Sequence, residues 1–91
     1  MKMYPELNKI NNWATLPFGY DVDEEDDNIL KPDTKALDGL YRAIQYREAN
    51  AMSLRQAAQY VKDLTGRSIS YETIRVIINE RKHPVFSKEE A

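Results

Sequence analysis

Residues 53 to 82 read SLRQAAQYVKDLTGRSISYETIRVIINERK, and how this stretch folds decides how the rest must pack. Its apolar residues return every three to four positions in two blocks: Leu54, Ala57, Ala58, Val61 and Leu64, then Ile74, Ile77 and Ile78, with Gly66 between them. That period is helical, so the spacing predicts two helices joined by a tight bend. Ser53 with Gln56 three residues on makes a capping box, in which hydroxyl and amide each satisfy an orphan backbone N–H. Gly66 suits the left-handed position that closes the first helix. Ser70 is the expected cap of the second, with Ile69 and Ile74 closing over it as a hydrophobic staple. Turning the isoleucines inward leaves Tyr71, Glu72, Arg75, Val76, Asn79 and Lys82 outward on the second helix, about 70–82. Arg55, Gln59 and Lys62 point outward on the first. A short connection makes such a pair cross steeply and presents the second helix as a rod, the geometry of a helix-turn-helix whose second helix fits a major groove.

The ordered pattern SLRQAA, TGRSIS and TIRVII resembles the DNA-binding helix-turn-helix of large serine recombinases and their relatives in phage genomes. Upstream, LPFGYDVDEEDDNILKPD is similar to the segment before that helix pair in the recombinase domain, where Phe-Gly-Tyr, a short turn and Leu-x-Pro-Asp lead into a helix. The resemblance runs from about Leu16 to Pro84, and its first helix is about a turn longer than in repressor-type motifs. It implies a targeting module without catalysis, because the catalytic serine of that family lies in a separate N-terminal domain that this chain is too short to contain.

Working outward, a further helix is expected to start at Pro32-Asp33, with Asp33 as N-cap and Leu37, Leu40, Tyr41 and Ile44 on one face, and to run to about Ala49. Gly39 inside it costs about 1 kcal/mol relative to alanine and so predicts a closely packed neighbour, for which the aromatic N-terminal arm is the expected candidate. Tyr41, Tyr46 and Tyr60 are expected to pad the core edge. Phe18, Tyr20 and Val22 alternate ahead of an acidic run, which predicts a short two-stranded hairpin or loop over 21–32 that leans on the helices. The fold expected is therefore mainly α: a three-helix helix-turn-helix domain over 16–84, preceded by an extended aromatic arm over 1–15 and the acidic hairpin. The proline of His83-Pro84 stops the last helix by about there. Val85 and Phe86 in the tail over 85–91 either pack back, meet a neighbour or stay disordered.

Ninety-one residues allow one small domain whose stability is marginal unless it oligomerises. The absence of cysteine excludes disulfides and fits a reducing cytoplasm, the host's if the chain is phage-encoded. No apolar run approaches a membrane span. A net charge of -2 argues at first against nucleic acid. Its distribution changes that, because residues 21–33 hold seven acids against Lys31 and leave the remainder at +4, which permits DNA binding without demanding it. Binding by one copy is expected to be weak and to gain from a second copy or a larger complex.

No catalytic constellation, zinc pattern, phosphate loop or dinucleotide fingerprint is present, so no enzyme activity, metal or cofactor is expected. The acidic run lacks the spaced oxygens and glycine of an EF-hand loop. It reads as a solvated loop, or as a surface that repels phosphates or meets a basic partner. For double-stranded DNA the base-edge candidates are Tyr71, Glu72, Arg75 and Asn79: arginine forks onto guanine, asparagine onto adenine, and glutamate accepts from cytosine. Arg55, Arg67, Ser70, Thr73, Arg81 and Lys82 are the phosphate candidates. Glu72 and Arg75 stand three apart and have the alternative of pairing with each other. Trp13, Phe18 and Tyr20 are the candidates for binding a partner, unless the arm folds back over the core. Three functions follow: a phage or mobile-element regulator or DNA-targeting component, the small recognition subunit of a genome-packaging terminase, and a protein–protein adaptor built on the same fold.

Overall fold

The computed structural model describes residues 2–8, 17–87 and 89–90, with the side chains of 4–7 and 17–86. Trp13 and Leu16 lie outside the described residues. The protein is mostly helical, and its three helices begin where the sequence writes caps. Helix α1 (Thr34–Glu48) follows Asp33, whose carboxylate accepts the Ala36 N–H at 3.3 Å. Helix α2 (Leu54–Thr65) opens on the full capping box of Ser53 and Gln56 and closes at Gly66, left-handed with φ 79°. Helix α3 (Tyr71–Glu80) starts at Ser70, whose hydroxyl accepts the Thr73 N–H at 3.1 Å. It ends two residues short of the expected Lys82. Arg81 turns left-handed at φ 52°, which frees the chain to deliver Pro84–Ser87, a 3-10 turn, against α1.

The core is continuous. Leu37, Leu40, Ala43 and Ile44 of α1 meet Ala57 and Val61 of α2 and Ile74 and Ile77 of α3, all buried. Each large aliphatic in that set contributes roughly 1.5 to 3 kcal/mol by leaving water. Gly39 lets α1 and α2 close up: a Cβ built there would stand 2.5 Å from Thr65 Cγ2 and 3.5 Å from Leu64 Cδ2. Among the described residues the close neighbour is thus the end of α2. Leu64, expected inside, drapes over that contact and stays 40% exposed. Tyr46 and Tyr60 meet edge to face at the core margin, ring centroids 5.7 Å apart.

Ahead of α1, β3 (Tyr20–Val22) and β4 (Ile29–Pro32) form the expected antiparallel hairpin, in the register Asp21 opposite Lys31. Its acidic tip folds through its own carboxylates, Asp23 and Asp26 accepting backbone N–H groups two residues on. A third strand was not expected. β2 (Leu7–Asn8) adds to the other edge of β4, Leu7 opposite Leu30, and a two-residue strand carries no period from which to read it. β1 (Lys2–Met3) pairs antiparallel with β5 (Glu89–Glu90), which brings the two ends together. Over residues 2–8 the arm therefore folds back. Tyr4 is buried and its hydroxyl donates to Asp38 at 2.6 Å; burial, then that hydrogen bond to a carboxylate, pushes its pKa well above the usual phenol range.

Val85 is fully buried, and its N–H donates to His83 Nδ1 at 3.0 Å. Burial pushes the His83 imidazole down to about 4. The folded value lies below the ordinary 6.5, so the unfolded chain takes up the proton first. Stability from this group is intact above about pH 6.5 and is lost as the pH falls from there toward about 4. The loss is expected to be on the order of 2 kcal/mol, residual solvent contact reducing the full linkage value. In urea unfolding at stepped pH, His83→Asn keeps an acceptor for the Val85 N–H and should flatten the profile between pH 6.5 and 4 relative to the wild type. Equal slopes in the two proteins would locate the effect elsewhere.

Candidate nucleic-acid interface

α3 meets the core through Ile74 and Ile77 and leaves its opposite side in solvent. On that side stand Glu72, Arg75, Val76 and Asn79, with Val76 44% exposed. Arg75 and Asn79 are four residues apart and so lie one above the other on the helix surface. Arg75 Nη2 holds Glu72 Oε2 at 2.9 Å, an exposed pair across one turn. Such a pair stabilises by a fraction of 1 kcal/mol, which leaves the guanidinium easy to redirect. Tyr71 is half-buried beneath the Arg55 guanidinium, 4.6 Å from the ring centre, so the starts of α2 and α3 are tied by a cation–π contact. The Ser70 and Thr73 hydroxyls lie 2.8 Å apart and serve the helix start first.

The cations expected at phosphates divide into two groups. Arg67, in the connection between α2 and α3, is held by Asp21 at 2.6 Å and by Asp33 at 3.1 Å. Its pKa is raised further by the hydrogen bond to Asp21. One guanidinium thus ties the connection to the hairpin and to the cap of α1. To meet a phosphate, Arg67 would have to give up these two carboxylates. Arg81 pairs with Glu48 and lies over the Phe86 ring at 4.9 Å. Arg55 and Lys82 are exposed and stand outside the ion pairs of the described residues.

The partner-binding expectation for the aromatic segment changes too. Tyr20 is wholly buried and its hydroxyl donates to the Pro5 carbonyl at 2.6 Å, so it holds the arm to the hairpin and presents nothing to a partner. Burial pushes its pKa up to about 12. Phe18 is half-buried against the same core. Trp13 falls outside the described residues.

Two shallow grooves flank α3 on the side of the α1–α2 junction, one bordered by Arg47, Asn50, Leu54, Arg75 and Asn79, the other by Arg47, Ser53, Arg55 and Tyr71. Arg47 was not among the expected site residues. In sequence it is one charge among several on α1, and only the packing of the helices places it across from Arg75. Among the described residues no group of three His, Asp or Glu side chains comes together to hold a metal ion. No described helix is long and apolar enough to cross a membrane. Comparison with protein-family models, curated proteins and solved structures gives no match to this chain.

Proposed function

We propose that α2 and α3 act as a helix-turn-helix and that the protein is a non-catalytic DNA-binding protein, a regulator or targeting component of phage or mobile-element type. The observation that carries this reading is the outer side of α3, where Arg75 and Asn79 stand one turn apart in solvent. In a major groove a guanidinium forks onto guanine and an amide onto adenine, each worth about 1 to 3 kcal/mol of discrimination. The acidic hairpin does not oppose this, because part of its charge is neutralised within the molecule: Asp21 by Arg67 and Asp23 by Lys31. The experiment is titration of labelled duplex DNA at stepped salt. Affinity that falls linearly on logarithmic axes supports the reading, and no binding at the lowest salt sinks it.

A second reading, an adaptor that binds protein, draws on one observation. Arg67, Arg75 and Arg81 are each paired with a carboxylate, while Val76 on α3 is open to solvent. In that case the same titration shows no DNA binding.

A further inference from the structure

The two grooves beside α3 meet. One encloses about 400 Å3 and the other about 330 Å3, and both are lined by Arg47 and Leu54. They form one open trough with half-buried Leu54 within it, α3 as one wall and the α1–α2 junction as the other. Arg47 stands where the two halves join. Its Nη1 reaches the Met52 carbonyl only at 3.5 Å, where a hydrogen bond is nearly lost, so the guanidinium keeps most of its donors for something else. The ion pairs of the described residues engage Arg67, Arg75, Arg81 and Lys31 and leave Arg47 and Arg55 out. Glu48, the acid lining the trough, is taken up by Arg81.

We propose that Arg47 and Arg55 grip the phosphodiester backbone of a DNA duplex in this trough and so set the position of the strand against α3. The inference rests on the DNA-binding reading above. Arg55 is already among the phosphate candidates read from the sequence; the packing of the helices adds Arg47 beside it at the α1–α2 junction. A guanidinium offers a planar fork of donors that matches two phosphate oxygens. Arg55 is already oriented by the Tyr71 ring, so little side-chain freedom is lost when it binds. Contacts of this kind fix register and carry no sequence information.

The test is duplex binding at stepped salt by the wild type, Arg47→Ala, Arg47→Lys, Arg55→Ala and Arg42→Ala. Arg42 is exposed on α1 and lines a different groove, with Lys35 and Asp38. Arg47→Ala and Arg55→Ala should each flatten the slope of log affinity against log salt by about one and weaken binding about tenfold, alike on random and on selected duplexes. Arg47→Lys should keep the slope while losing part of the affinity, and Arg42→Ala should match the wild type. Should Arg47→Ala prove unfolded by circular dichroism, Arg55→Ala and Arg47→Lys decide the matter. Wild-type binding with unchanged slopes in Arg47→Ala and Arg55→Ala overturns the grip while leaving DNA binding in place. Failure of the wild type to bind at the lowest salt removes both.

Discussion

Gly19→Ala is expected to destabilise the protein by about 3 kcal/mol, the sum of a left-handed backbone penalty and an overpacking penalty. Gly19 sits at φ 87°, where a side chain is disfavoured. A Cβ there would stand 2.6 Å from Leu37 Cδ2 and 2.7 Å from Leu37 Cγ, inside contact distance of a fully buried residue. The Gly19 carbonyl also accepts the Asp33 N–H at 2.6 Å, so the same residue fastens the start of the hairpin to the cap of α1. A domain of this size is stable by only about 5 to 15 kcal/mol, and the loss should appear as a melting point lowered by on the order of 15 °C. Leu37→Ala alone opens a cavity and costs about 2 to 5 kcal/mol. In the double variant the clash is gone, so the combined cost should fall short of the sum by 1 kcal/mol or more. Strict additivity in urea unfolding would mean that Gly19 and Leu37 are not in contact.

The largest functional effect is expected from Arg75→Ala combined with Asn79→Ala. Both side chains are exposed, so the fold should change by no more than about 0.5 kcal/mol, checked by thermal unfolding. On a duplex selected from a randomised pool by the wild type, each substitution should cost about 1 to 3 kcal/mol, and the pair at least about 30-fold in affinity. On random duplex the loss should be far smaller, because base contacts carry the discrimination. The two singles should also separate: Asn79→Ala leaves the salt slope unchanged, whereas Arg75→Ala relaxes discrimination with at most a small change in slope. Equal losses on selected and random duplexes would reduce both residues to general electrostatic contacts.

What could be read in the sequence is what is written locally. Asp33, Ser53 and Ser70 cap the three helices because each carries its acceptor three residues ahead of an orphan N–H. Gly66 closes α2 because only glycine takes that backbone without penalty. The hairpin follows from alternation on either side of a run of acids. What could not be read depends on packing between distant segments. Gly39 promised a close neighbour, but its identity, Thr65, is fixed only by how α1 lies on α2. Arg67 looked like a free cation until the hairpin brought Asp21 and the α1 cap brought Asp33. Tyr20 was open to two readings, a partner contact or packing on the core, and only the returning arm, which supplies the Pro5 carbonyl, decides for the second. Arg47 had no signal at all, since a basic residue in the last turn of a helix ordinarily serves its dipole. The trough exists only once three helices are in place.

DNA binding through the side of α3 that faces solvent is tested most directly by fluorescence anisotropy of a labelled duplex over roughly 50 to 200 mM salt. With Arg47, Arg55 and Lys82 as the cations available for phosphates on that side, log affinity should fall with log salt at a slope of roughly -2 to -3. A flat dependence, or no binding at the lowest salt, would contradict it and leave the outer side of α3 as a surface for another protein.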